Sequence, residues 1–319
     1  MNTLLSSVAR GRLVAGAVAA AAAAGLTPLA AQADTGKLLL TGGVSTIEGA
    51  AGGGLSPWAV IGSQASGGEI GVAAYASRAV TDDYALTGYG VAVGLHDRFE
   101  LSLAHQKFNT GNALGVLDGA LGIPPTFGGL PLKQDIFGAK YRIAGDAVLD
   151  SDTWMPQIAV GIQHKRLAAN AFTEGVVEGV LGAKRSGTDV YVSATKLFLA
   201  QGLLVNGTLR ATKANQNGLL GFGGNLDNGY ELRPEISVAY LLRKDLAVGF
   251  EYRAMTNKLR NEFIPGALEA DHWKDVFIAW APSKNLSLTA AYVDLGKIAP
   301  GLTANRKQRG AYLSAQVAF

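Results

Sequence analysis

From residue 69 to the C-terminus, apolar and polar side chains alternate with a period of two. That period places successive side chains on opposite faces of a strand. Across 99–108, Phe99, Leu101 and Leu103 share one face while Glu100, Ser102 and Ala104 share the other. Across 132–144, Phe137, Ala139, Tyr141 and Ile143 oppose Gln134, Gly138, Lys140 and Arg142. Leu203, Val205 and Leu209 likewise oppose Asn206, Thr208 and Arg210, and Val248, Phe250 and Tyr252 oppose Glu251 and Arg253. Twelve such segments are readable, at about 69–81, 83–94, 99–108, 132–144, 154–166, 187–199, 203–214, 230–242, 246–256, 272–283, 286–297 and 310–319. Each has roughly 10–13 residues, where a tilted strand needs about 9–11 to cross a bilayer. Globular strands average only about 5–6.

The connections alternate in length. His96-Asp97-Arg98, Ala200-Gln201-Gly202, Arg243-Lys244-Asp245 and Ser283-Lys284-Asn285 are tight polar turns, whereas 109–131, 167–186, 215–229, 257–271 and 298–309 are long. Short turns on one side and long loops on the other are the habit of outer-membrane barrels. The connection near Asp82 is short where a long one is expected, and 145–153 is long where a turn is expected. The pattern predicts an all-β chain: a transmembrane antiparallel up-and-down β-barrel of about twelve strands. With both termini periplasmic, Phe99, Tyr141, Trp154, Phe198, Tyr240, Trp280 and Phe319 all fall at periplasmic strand ends on the outward face. Amphipathic rings settle at the headgroup level, which accounts for such a girdle. Lys196 is the awkward outward charge, near enough to that edge to snorkel.

Ahead of the barrel, the basic Met1–Arg12, the uncharged Leu13–Leu29 and Ala31-Gln32-Ala33 follow the order of a secretory signal, with cleavage expected after Ala33. Residues 34–68 are glycine-dense and precede the first convincing strand. They admit three readings: a plug, two more strands making fourteen, or a flexible periplasmic leader. A plug would pack Leu38, Leu40, Trp58 and Ile61 inside the lumen and let Glu48 meet lumen arginines.

The composition narrows the function. The 319 residues include 42 glycines, no cysteine and only 17% charged residues. Disulfides and thiolate metal sites are excluded, and disorder is disfavoured. Removing Arg10 and Arg12 from the 28 basic residues leaves 26 against 25 acidic ones, a net charge of +1. That balance gives no footprint for nucleic acid. The polar face of the strands presents Lys140, Arg142, Lys165, Arg210, Arg233 and Arg253 with Glu100, Asp189, Glu231, Glu235, Glu251 and Asp275. Rings of one sign would select ions of the other, but the two signs are balanced here. An interior ion-pair network and a polar track for a solute are both compatible with the set. The long loops are unusually apolar, and 170–183 carries Phe172, Val176, Val177, Val180 and Leu181 at helical spacing. Loop-on-loop packing or a hydrophobic vestibule would use them.

No H-E-x-x-H, G-x-S-x-G or P-loop motif occurs. Asp271 and His272 are strand neighbours and point to opposite faces, so no catalytic residue is assigned. No cofactor and no metal are expected.

The last strand, Arg309-Gly310-Ala311-Tyr312-Leu313-Ser314-Ala315-Gln316-Val317-Ala318-Phe319, ends on phenylalanine with apolar residues before it. It resembles the sorting signal of outer-membrane proteins, with Tyr312, Leu313, Val317 and Phe319 as its side chains. The resemblance implies recognition by the barrel-assembly machinery and contact with outer-membrane lipid and lipopolysaccharide. The stretch Gly36-Lys37-Leu38-Leu39-Leu40-Thr41-Gly42-Gly43-Val44-Ser45-Thr46-Ile47-Glu48-Gly49-Ala50-Ala51-Gly52-Gly53-Gly54-Leu55-Ser56-Pro57-Trp58-Ala59-Val60-Ile61 resembles a Gram-negative outer-membrane family that bears the label of a domain of unknown function. This implies a fold and a location, and no site residues. The expected role is a passive channel or facilitator for a small solute of unknown identity. The rival readings are a filled structural or assembly barrel and a barrel enzyme acting on lipid or peptide.

Overall fold

The computed structural model describes residues 37–148, 154–259 and 266–319. The expected signal segment lies outside them. Two very short strands, β1 (Val44–Ser45) and β2 (Ala51–Gly52), pair with each other and, among the described residues, with none of the long strands. They are followed by β3 (Ile70–Thr81), β4 (Ala85–Leu95), β5 (Phe99–Asn109), β6 (Pro131–Ala144), β7 (Gln157–Leu167) and β8 (Ser186–Phe198). The remaining strands are β9 (Leu203–Thr212), β10 (Glu231–Arg243), β11 (Leu246–Arg253), β12 (Trp273–Ser283), β13 (Leu286–Asp294) and β14 (Arg309–Ala318).

Among the described residues, β3 to β14 close into one antiparallel barrel of twelve strands, each paired with its sequence neighbours, and β14 pairs with β3. Closure gives every strand edge a partner, which hydrocarbon demands because it offers no water to unpaired backbone groups. The fourteen-strand alternative is not what forms: β1 and β2 stay out of the wall.

The alternation read from the sequence sets the two faces. Leu101, Leu103, Phe137, Ile162, Val192, Leu209, Ile236 and Ile278 point outward and are exposed. Their neighbours Ser102, Gln134, Gln163, Ser193, Thr208 and Ser237 point inward and are buried. An apolar exterior around a polar interior inverts a water-soluble sandwich and suits a barrel surrounded by lipid. Trp154, Tyr141, Tyr240, Trp280 and Phe319 are exposed at the end bearing the short turns. At the other end Tyr89, Tyr230 and Tyr292 form a second outward band. Lys196 reaches the carbonyl of Met155 at the short-turn end, 3.4 Å away.

Three inward aromatic rings lie across glycines of the adjoining strand. Tyr75 pairs with Gly90, Tyr191 with Gly161 and Phe277 with Gly249. A Cβ placed on these glycines would come within 2.7 Å, 2.1 Å and 2.4 Å of the respective rings. The glycines clear the room that the rings fill.

The long loops fold over their end of the barrel and pack together. Tyr84, Phe108, Leu114, Phe127, Phe172, Val177, Leu219, Leu259, Ile298 and Leu302 belong to one buried cluster. The loop after β5 contributes a short helix, α1 (Gly115–Leu121), and the loop after β7 a wider helical turn over Thr173–Val180. Val176 and Val177 of that turn face the cluster, so these apolar loop residues serve loop-on-loop packing.

Candidate functional site

Residues 41–65 run through the inside of the barrel, as their partners demonstrate. The amide of Ala51 donates to Glu100 on β5 at 3.1 Å, that of Ala59 to Thr195 on β8 at 2.8 Å, and that of Leu55 to Glu251 on β11 at 2.7 Å. Lys140 on β6 donates to the carbonyl of Val60 at 2.8 Å and Gln157 on β7 to that of Ala59 at 2.8 Å. The Pro57 carbonyl receives Ser193, Asn206 and Thr208 from β8 and β9. The Ile47 carbonyl receives Tyr75 from β3 and Gln106 from β5. A segment that touches inward side chains from every side of a closed cylinder occupies its lumen. Its irregular backbone is tolerated there because the barrel wall supplies the hydrogen bonds that a regular element would supply itself.

Glu48 is fully buried and is the centre of an ion network. It meets Lys165, Arg210 at 3.1 Å and Arg253 at 2.5 Å. Lys165 also holds Asp189 at 2.8 Å, while Glu235 binds Arg210 at 2.5 Å and Arg253 at 3.3 Å. Three acids and three bases from the inner segment and β7–β11, all buried, thus neutralise one another. The guanidinium of Arg210 additionally lies 5.3 Å from the centre of the Tyr191 ring. A second pair, Glu100 and Lys140, is 3.2 Å apart and 1% exposed. Glu100 accepts from the amides of Ala51 and Gly62, and Lys140 donates to the Ala51 carbonyl.

The other sequence candidates sit nearer the two ends. Arg142 bridges Asp97 at 3.0 Å and Asp146 at 3.4 Å by the short turns, and Lys37 meets Asp97 at 2.7 Å. Glu231 joins Arg233 and Lys258 at the loop end. Lys258 also engages Asp227, whose carboxyl that contact and the Gly229 amide hold below the ordinary carboxylate range. Glu251 accepts from Leu55, from Ser56 at 3.0 Å and from Ser237 at 2.6 Å. Asp275 faces Glu251 directly across the β11–β12 pair.

Of the inner-segment candidates, Trp58 is 4% and Ile61 1% exposed, and Leu40 packs against the cluster around Trp58. Leu38 is different. It is 52% exposed, because residues 38–41 turn at the mouth, where the Thr41 amide bonds back to the Leu38 carbonyl and Lys37 is tied to the Asp97 rim. Leu313 on β14 and Phe319 directly after it are exposed on the lipid face, whereas Tyr312 is buried on the lumen face. The Phe319 amide and carbonyl both bond to Val72 of β3, at 2.8 and 2.9 Å. Asp271 accepts from the Lys297 amide and His272 from the Met255 amide, so the two do not meet.

Among the described residues, three voids lie beside the inner segment, the upper against β11–β14 and β3–β5, the middle against β8–β12 and the lower against β12–β14. The upper one, about 60 Å³, is lined by Leu55, Tyr84, Glu251, Asp275 and Phe277 among others. A middle one of about 30 Å³ shares Gly53 and Phe277 with it and reaches Trp58 and Ala247. A third of about 20 Å³ shares Leu40 and Gly43 with the second and ends at Lys284 and Asn285 in a short turn. The upper two are walled mainly by apolar side chains, the last mainly by polar atoms.

The protein family of unknown function DUF3034 matches residues 41–316, which covers the inner segment and the barrel together. The chain belongs to DUF3034. No curated protein matches this DUF3034 sequence as a relative. Among solved structures it is similar to the KdgM porin at 10% identity and a TM-score of 0.48, over 77% of this chain and 99% of that one. The NanC porin gives the same identity and TM-score over 77% and 98%. Outer membrane phospholipase A from Escherichia coli follows at 8% identity and a TM-score of 0.39, over 78% and 92%.

Proposed function

We propose that this DUF3034 protein is an outer-membrane facilitator for a small solute, with the inner segment as the element that restricts passage. The carrying observation is the series of three voids, which share lining residues pairwise from the loop end to the short-turn end. Buried charges on β5, β6, β7, β9 and β11 hold the inner segment at Glu48, Ala51, Val60 and Gly62, while the voids lie where Gly43, Gly53 and Leu55 face mainly apolar side chains. The residues shared between neighbouring voids, Gly53 with Phe277 and Leu40 with Gly43, mark two pinches in this reading. Small movements of these glycine-bearing stretches would join the voids without disturbing the Glu48 network. Export through the N-terminal signal with cleavage after Ala33, and assembly through the C-terminal strand, complete this reading.

Planar-bilayer recordings test it. The processed chain is expected to show small, infrequent conductance steps, and a chain lacking residues 37–63 larger and more persistent ones. Absence of conductance from both, with heat-modifiable mobility showing both folded, would sink the channel and leave a filled structural barrel.

A further inference from the structure

Ten of the twelve lumen-facing charged side chains on the strands have an ion partner. Among the described residues, Glu251 and Asp275 have none. They face each other across β11 and β12, where like charges destabilise a strand pair, and both line the upper void. Glu251 is 1% exposed and bonded only to uncharged groups, and one Asp275 carboxylate oxygen is buried without a partner. Trp273, two residues along the same face, is 4% exposed and its indole N–H also lacks a partner. A buried charge ordinarily comes with a counter-charge. Arg253, on the same face of β11, is bound to Glu48 and Glu235, so the two facing carboxyls are left to share a proton or to take a cation from outside the chain.

We propose that the upper void binds a small organic cation, a protonated amine on a short hydrocarbon body. The ammonium would lie between the Glu251 and Asp275 carboxylates, and the hydrocarbon would rest among Leu55, Phe277 and Val293. The face of Trp273 favours a cation as well, and its free N–H offers a donor to any oxygen the molecule carries. A metal ion fits poorly. Calcium and magnesium require about six or more oxygen ligands, and the described residues contain no group of three or more acidic or histidine side chains able to hold one. The volume of about 60 Å³ exceeds the ~10–15 Å³ that a water needs, and it limits the body to a few carbons. Glu251 also holds the Leu55 and Ser56 amides beside the upper pinch. A cation that drew this carboxylate toward Asp275 would loosen that pinch. As the solute class of the path, the proposal rests on the channel reading; as a binding site it stands separately.

The test is calorimetric titration of the processed protein in detergent micelles with n-butylamine, n-butanol and butyrate, which share one hydrocarbon body and differ in head charge. Butylamine is expected to bind about tenfold tighter than butanol, the scale of one charge-assisted hydrogen bond, and butyrate not measurably. Asp275→Asn and Glu251→Gln should each bring butylamine down to the butanol level, while Arg243→Gln, at an exposed turn, should leave it unchanged. Two substitutions at the acids guard against one of them misfolding. Equal binding of butylamine and butanol, an amine preference that survives Asp275→Asn, or tight Mg²⁺ binding at the acids would overturn the site. Conductance without amine binding would reject the site and keep the channel, and amine binding without conductance would do the reverse.

Discussion

At the scale of single residues, Glu48 matters most. It is the acid of the inner segment that joins three bases carried by three strands. Taking out one member of a buried ion network leaves charge that neither water nor protein compensates, at a cost of about 3–5 kcal/mol. Glu48→Ala is therefore expected to destabilise the folded barrel by that amount, read from the midpoint of urea unfolding in micelles. Lys165, Arg210 and Arg253 would then face only Asp189 and Glu235. A lipid-facing substitution such as Val192→Ala removes apolar surface and breaks no ion pair, and should cost much less. The facing of these residues was legible in the sequence, because period two sorts strand positions into two sets. Their pairing was not: alternation carries no information on depth along the barrel axis or on which strand stands opposite. Gln157, Ser193, Thr195, Asn206 and Thr208, which grip Pro57 and Ala59, went unassigned for the same reason. Their uncharged polar character on the inward set was the only signal.

At the scale of elements, all twelve strands were readable with their ends within about three residues, the largest differences being β7 starting at Gln157 rather than 154, β11 ending at Arg253 rather than 256 and β13 at Asp294 rather than 297. Long strands with alternating faces leave little freedom of register, since a one-residue slip would turn every lysine and glutamate of the lumen toward lipid. The aromatic–glycine pairs were hidden, because each joins residues that only the register brings together. They separate two kinds of strand glycine. At Gly161 a new side chain would collide with the Tyr191 ring, whereas at Gly207 an added Cβ meets nothing within 4 Å. Gly161→Val is expected to lower stability by about 1–3 kcal/mol through overpacking. Gly207→Ala should be neutral or mildly stabilising, because it restricts the unfolded chain. Urea midpoints of the two variants, measured side by side, check the contrast.

At the scale of the whole molecule, the barrel has one seam, where β14 meets β3, and Phe319 closes its lower end through two backbone bonds to Val72. Deleting Phe319 removes both bonds together with an outward ring at the girdle. Slower appearance of the folded, heat-modifiable form after expression is the expected outcome, and an unchanged rate would show that the seam closes without it. The twelve-stranded cylinder was legible in the sequence because lipid allows few alternatives. The course of residues 41–65 stayed open among three readings, since glycine-dense stretches lack the periodicity that would decide between them.

The seam also imposes a chronology. The pocket that receives Glu48 is built from strands synthesised after it, and its wall is incomplete until the final ten residues join β3. The segment translated ahead of the barrel therefore cannot complete its contacts until β14 pairs with β3, and is enclosed as the cylinder shuts around it. A copy of that peptide added to an already closed, segment-free barrel would have to enter through a mouth, and its capture should be far slower than enclosure during assembly.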